Sequence, residues 1–417
     1  MYRKTIKNTL SQLIGRLIAS TVAFLTTLAL ARYLGASIYG EYTKAAAFVL
    51  LFFPLTDLGL NLIFMKLEKN TEQAGINALL GLRLGLSFFV VGIAEVIVAL
   101  LWFFNPLFNL DVLVATSIAL LALPANALLL TTQAWLQKKL LFGTQTLILN
   151  GGGVVVFGLL VGGLFFLKNS TSSMLLWASA CFVLTTAIPG LIGYASLLKK
   201  WGRGDRFVNW ELWKQMLGAS WPLGLTLMFN MVYFRLDTLI LGGVRSSGEV
   251  GAYGLAYKFF EFALVIPTFV MNSAYPILIK EEKWSEIKNR LWFISLGLLL
   301  SSTLVASALF FGAPFLTLVK HEFGDSIVYL RILSLFLPIF YLSSPLMWVY
   351  VLQNKQRRLV IIYGLTMVIN VLLNVRFIPS FGAQAAAVIT GVTELIVLIL
   401  GVIGIIVSPQ KTQRSLS

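Results

Sequence analysis

The sequence predicts an all-α integral membrane protein of twelve transmembrane helices, arranged as two parallel six-helix lobes around a central cavity. Three observations lead there. Of the 417 residues, 58% are hydrophobic and only 12% charged, where a soluble domain carries about 45–50% and about 25%. Apolar runs of spanning length recur along the whole chain. The connectors between those runs alternate between rich and poor in Lys and Arg.

A hydrocarbon core about 30 Å thick needs about 20 mostly apolar residues per helix, so charged or turn-rich breaks bound the spans. They fall at 13–33, 43–65, 77–104, 112–136, 141–167 and 174–198 in the first half of the chain, and at 215–242, 252–279, 291–318, 326–352, 359–378 and 383–407 in the second. Arg3, Lys4 and Lys7 before the first block resemble a signal-peptide leader. The apolar run that follows is longer than such a leader uses and no A-x-A site closes it, so it reads as a retained span.

Basic residues near span ends accumulate on the cytoplasmic side. With the N-terminus inside, the inner segments hold 21 Lys and Arg, the outer connectors hold 6 (Arg32, Lys44, Lys168, Arg245, Lys320 and Arg376), and 5 fall within spans. Both termini are therefore expected in the cytoplasm. A miscounted span would mix rich and poor connectors, so the alternation also supports twelve.

The longest connector, 199–214, is basic and Trp-rich and is expected to lie along the inner surface against anionic phospholipids. It divides the chain into an N-terminal lobe at 1–198 and a C-terminal lobe at 215–417. Leu34, Gly35, Gly40 and Tyr42 in the first correspond to Leu241, Gly242, Gly251 and Tyr253 in the second. Each Gly-x-Tyr leads into a span interrupted by proline, Pro54 or Pro267. Six spans per lobe make the repeats parallel, related by an axis along the membrane normal.

The same counts exclude several functions. A single cysteine, Cys181, and a single histidine, His321, leave no disulfide and no His/Cys metal cluster. No phosphate-cradling G-x-x-x-x-G-K-[ST] is present, so the chain carries no P-loop ATPase of its own. The net charge of +15 is spread over short connectors, which argues against nucleic acid as a partner. Outer connectors this short leave no room for a catalytic domain, so no enzyme activity is expected.

Ionisable side chains within spans cost at least about 2.5–3.5 kcal/mol each and normally face protein or a water-filled cavity. The basic set is Arg16, Arg83, Arg235, Lys258 and Arg331, and the acidic set is Asp57, Glu95, Asp237, Glu261 and Glu394. Arg16 and Arg83 lie near the cytoplasmic ends of their spans and either snorkel to headgroups or face the cavity. Arg235 and Asp237 are two apart, on different faces of a helix, so each needs a partner from elsewhere. Lys258 and Glu261 are three apart and either pair on one face or line a polar cavity wall. The five acids are candidates for H⁺ or Na⁺ coupling, with neutral hydrogen-bonded acids or salt-bridge partners as the alternative. No other cofactor is expected.

The run ARYLGASIYGEYTKAAAFVLLFFPLTDLGLN from Ala31 to Asn61 resembles the opening of the polysaccharide-transport, or Wzx-type, flippases of the MOP superfamily, which also contains the MATE exporters. Ser220-Trp221-Pro222, the stretch Tyr233 to Asp237, and Gly251 to Lys258 resemble that family's seventh and eighth spans. The resemblance implies two lobes in a V and translocation of a polyprenyl-pyrophosphate-linked oligosaccharide from the inner to the outer leaflet of the cytoplasmic membrane. It also implies pathway neighbours, a polysaccharide polymerase or glycosyltransferases. On this reading the cationic set receives the pyrophosphate through charge-assisted bonds. The alternative is a MATE-like ion-coupled exporter of small organic molecules, whose cavity is expected to be acidic and aromatic.

Overall fold

The computed structural model describes residues 2–66, 72–105, 107–201, 207–279, 281, 283–353 and 355–407. Among the described residues the structure is helical throughout, with thirteen α-helices and no strand: α1 (Tyr2–Asp57), α2 (Leu60–Lys66), α3 (Glu72–Phe104), α4 (Leu110–Leu120), α5 (Ala122–Lys138), α6 (Phe142–Phe166), α7 (Thr171–Trp201), α8 (Trp210–Val244), α9 (Ser247–Ala263), α10 (Val265–Leu278), α11 (Trp284–Gly312), α12 (Ser326–Leu352) and α13 (Gln356–Ile406). Phe88, Phe103, Phe166, Phe293, Leu304 and Phe311 are among many large apolar side chains that face outward. Such a surface is at home in lipid and not in water.

Ten helical segments among the described residues are long and apolar enough to cross a membrane. Two of them are too long for one crossing. The 51 residues of α13 extend about 77 Å at 1.5 Å per residue, against a core of about 30 Å. Each of the two contains one non-helical glycine, Gly35 (φ 73°) in α1 and Gly382 (φ 60°) in α13. Counted as two spans apiece, they bring the ten to twelve. The sequence places multi-residue connectors at 34–42 and 379–382. The structure instead turns each corner at a single glycine, because only glycine adopts positive φ without strain.

Elsewhere a single expected span is two helices. The blocks at 112–136 and 252–279 break at Leu121 and Leu264, three residues before Pro124 and Pro267. Proline has no N–H to give and crowds the carbonyl four residues back, so it fits the first turn of the second helix but not the interior of a continuous one. In the second case the freed carbonyl, that of Ala263, accepts a hydrogen bond from the buried Tyr341 hydroxyl at 2.7 Å. Pro54 behaves differently. It stays within α1, and the break follows at Leu58 and Gly59, both at positive φ. Past α11 the ninth block tightens into a 3-10 helix at Ala313–Leu318, where Pro314 falls.

The chain forms two compact units. The first is Met1–Leu255 with Thr317–Phe323, and the second is Ala256–Leu316 with Gly324–Ser417. In the first unit α8 packs along α1, so the unit boundary and the midpoint of the sequence repeat fall at different places. One of its cores gathers Leu60, Phe64, Leu79, Trp135 and Met216 from α2, α3, α5 and α8. A core of the second unit joins Met271 and Leu278 of α10 to Ile287 and Leu291 of α11.

Within the first unit the repeat-related glycines meet. A Cβ on Gly40 would lie 1.7 Å from the Ser247 carbonyl oxygen, and one on Gly251 would lie 2.0 Å from the Ala36 carbonyl oxygen. Ser247 precedes Gly251 by four residues, as Ala36 precedes Gly40. The two approaches are one contact made twice with roles exchanged, as a two-fold relation between them requires. Beside it Lys44, assigned by sequence to an outer connector, is 1% exposed. Its Nζ donates to the Leu107 carbonyl and to Ser247 Oγ, each at 3.0 Å, and lies 5.5 Å from the centre of the Phe108 ring. Close helix packing at the glycines draws this charge inside and supplies its acceptors.

Candidate functional site

The side chain of Arg16 lies outside the described residues. Arg83, on α3, is 0% exposed, so it does not snorkel. Its guanidinium donates to Asp57 Oδ1 at 2.6 Å, Asn61 Oδ1 at 2.8 Å and Thr131 Oγ1 at 3.3 Å. These partners come from the end of α1, from α2 and from α5. The break after Asp57 lets α2 start again beside α3, which is how Asp57 and Asn61 converge on one nitrogen. Arg83 Nε has no partner among the described residues. Arg83 and Asp57, listed by sequence reasoning under different roles, form one ion pair. The pair is closed on the arginine side, while the Asp57 side chain is 24% exposed.

Asp237, on α8, is 1% exposed. It accepts from the Tyr253 hydroxyl on α9 and from the Thr238 backbone N–H at 2.6 Å and hydroxyl at 3.2 Å. The partner from another element, expected from the two-residue spacing, is therefore Tyr253. Arg235 is half-buried and close enough for its charge to act on Asp237. On α3, Glu95 accepts from Ser117 of α4 at 2.7 Å.

In the second unit Lys258 and Glu261 pair at 2.8 Å along one face of α9, with side chains 38% and 25% exposed. Arg331, near the start of α12, donates from Nε to the Phe310 carbonyl at 3.2 Å and lies over the Phe310 ring at 5.2 Å. Glu394 of α13 is buried and accepts from the Ser343 hydroxyl of α12.

Sequence reasoning searched only ionisable groups and so passed over a polar seam beside Glu394. Asn370 Nδ2 donates to Thr393 Oγ1 at 3.1 Å, and Asn374 Nδ2 donates to Asn370 Oδ1 at 2.8 Å. The signal was present in the four-residue spacing of two amides within an apolar span. Hydrogen bonds of this kind join membrane helices, at about 0.6–2 kcal/mol each. The structure thus brings Arg83 to Asp57 and Lys258 to Glu261, and leaves Arg331, Glu95 and Glu394 on separate hydroxyl or carbonyl partners.

A family model described as polysaccharide biosynthesis protein matches residues 5–282, and one described as MatE matches residues 222–376. Among solved structures, the lipid II flippase MurJ in an inward closed conformation is similar with a TM-score of 0.77 and 12% identity, over 98% of this chain and 89% of that one. Inward-facing and outward-facing conformations of a multidrug resistance MATE family transporter of the MOP superfamily are each similar with a TM-score of 0.59. Their identities are 14% and 15%, and coverage is 95% of both chains and 96% of both chains respectively. At these identities the likeness concerns the fold, which is that of MOP-superfamily transporters. No curated protein sequence matches the chain.

Proposed function

The chain belongs to the polysaccharide biosynthesis protein family, and from that premise we propose that it is a flippase. Its cargo is a polyprenyl-pyrophosphate-linked oligosaccharide, the repeat unit of an O-antigen or exopolysaccharide, moved from the inner to the outer leaflet by alternating access. The observation that carries this reading is the family match over two thirds of the chain. The fold shared with a lipid II flippase supports it.

The chemistry follows from the cargo. A pyrophosphate cannot enter hydrocarbon without cationic, charge-assisted partners. Arg235 and Lys258 are the bases we assign to it, because both keep exposed surface. Lys258 pairs with a carboxylate one turn along its own helix, and a phosphate offers the same ammonium an anionic partner of greater charge. Arg83, sealed among Asp57, Asn61 and Thr131, positions the end of α1 in this reading. Arg331 is a further candidate, and Arg16 is retained on sequence grounds. H⁺ or Na⁺ coupling is assigned to the intramembrane acids, Asp57, Glu95, Asp237, Glu261 and Glu394. The protein is proposed to lie in the cytoplasmic membrane as six-helix lobes at 1–198 and 215–417, with both termini inside. Pathway enzymes and anionic phospholipids are its proposed partners.

The test is glycan export in a deletion strain. Wild-type protein is expected to restore surface glycan, and Arg235→Ala at equal expression is expected to lose it. Full rescue by Arg235→Ala removes the site, and undiminished export after deletion of the gene removes the function. A second reading, an ion-coupled exporter of small organic molecules, is favoured by the MatE match over residues 222–376. Ion-driven efflux of organic cations from reconstituted vesicles would establish it instead.

A further inference from the structure

Residues 317–323 come from the connector between α11 and α12, whose flanks at Leu316 and Gly324 belong to the second unit, yet they pack in the first. Three side chains, Glu322, Arg32 and Phe323, join them to the corner of α1. At positive φ, Gly35 turns the chain and leaves the Ala36 N–H at the start of a new helical segment without an intrahelical partner. Glu322 Oε2 accepts that N–H at 2.9 Å. Within the segment, Lys320 Nζ steadies that carboxylate from 3.0 Å at Oε1. Arg32 donates to the carbonyls of Leu318 and Val319, each at 3.3 Å. Phe323, 0% exposed, meets Tyr39 edge-on at 6.1 Å. A Cβ on residue 35 would lie 2.6 Å from both Glu322 Oε2 and Lys320 Nζ, so the side chains close over a position that only glycine leaves open.

We propose that segment 317–323 is a latch on the corner of α1, and that its release is a step of each transport cycle. What is transported rests on the flippase reading above; the latch itself does not. The argument is one of connectivity. The segment is short and both of its ends run directly into the second unit, so a rearrangement of that unit pulls on attachments made in the first. The polar attachments suit a reversible device, because the bonds of Arg32 and of the half-exposed Glu322 carboxylate are charge-assisted, strong enough to hold a state and weak enough to break.

Two measurements test it. In a Cys181→Ser background, cysteines replace Tyr39 and Phe323 and are cross-linked in cells making the glycan. Cross-linking is expected to lower export at least about tenfold, and reductant to restore it. Unchanged export with the segment fully cross-linked makes it a static brace and overturns the proposal. In nanodiscs without cargo, Phe323→Cys alone is labelled with a water-soluble maleimide. Adding Glu322→Gln is expected to speed labelling about tenfold, the effect of losing one charge-assisted bond. An unchanged rate overturns the latch whatever the protein carries, whereas failure of the flippase reading in the deletion strain leaves the labelling result standing.

Discussion

The first unit buries an arginine completely, while the second leaves a lysine half in the open, although both were recognisable only as charges within apolar spans. Arg83 draws its partners from three helices. Lys258 draws its carboxylate from the next turn of its own helix. The first arrangement joins elements and is costly to open. The second links two residues one turn apart, and both side chains keep contact with the surface. Burial and the origin of the partner, more than charge itself, separate the sealed ion pair from the one proposed to meet the cargo.

The contrast can be broken from its strong side. Arg83→Ala empties a fully buried site and leaves Asp57, Asn61 and Thr131 without their shared donor; it is expected to lower stability by about 2–5 kcal/mol, seen as a large fall in thermal stability of the detergent-solubilised protein. Replacing Arg83 and Asp57 together by Met and Leu is expected to recover most of that loss. Next in size, Gly40→Ala sets a methyl against the Ser247 carbonyl; overpacking of this kind costs about 1–3 kcal/mol. Gly251→Ala is expected to match it in the same assay, since the contact is reciprocal. Unequal effects would break the two-fold relation. Asn370→Ala removes two hydrogen bonds from the α13 seam and is expected to cost about 1 kcal/mol.

At the weak end, Glu261→Gln is expected to change stability by under about 1 kcal/mol, because the pair it breaks is partly exposed. Glycan export is its informative readout. The smallest effect concerns pH at the latch. The Ala36 N–H, and then Lys320, hold the Glu322 carboxyl below the ordinary carboxylate range. A depressed pKa means its contribution is complete above the unfolded value and is lost as pH falls through the lowered one. Maleimide labelling of Phe323→Cys is therefore expected to be flat in its conformational component between about pH 5 and 8, and to rise only in stronger acid.

The spans were legible because bilayer thickness fixes a length that sequence displays directly; Ser326–Leu352 matches its expected limits to the residue at both ends. The Lys258–Glu261 pair was legible because both partners share one helix. The Arg83–Asp57 pair was not, since no helical period links residues 26 apart and the break at Leu58 and Gly59 had first to turn α2 back. Lys44 misled for a related reason. Its neighbours look like a connector, and its burial depends on two glycines more than 200 residues apart. The corners at Gly35 and Gly382 show the same limit on a smaller scale, because glycine announces freedom without saying how much chain a turn will use.

Tyr341 closes the gap left by Pro267, and that repair arrives late. The Ala263 carbonyl and the hydroxyl that satisfies it are 78 residues apart in the chain. At 5–20 residues per second, the ribosome needs about 4–16 s to make the intervening chain. During that interval a bare carbonyl facing hydrocarbon would cost several kcal/mol. The kinked span of α9 and α10 is therefore better served by waiting at the insertion machinery, in contact with water, than by partitioning into lipid alone. Membrane entry of this region is in that sense ordered by a single missing N–H, and a Tyr341→Phe chain would leave the kinked span with no later partner to wait for.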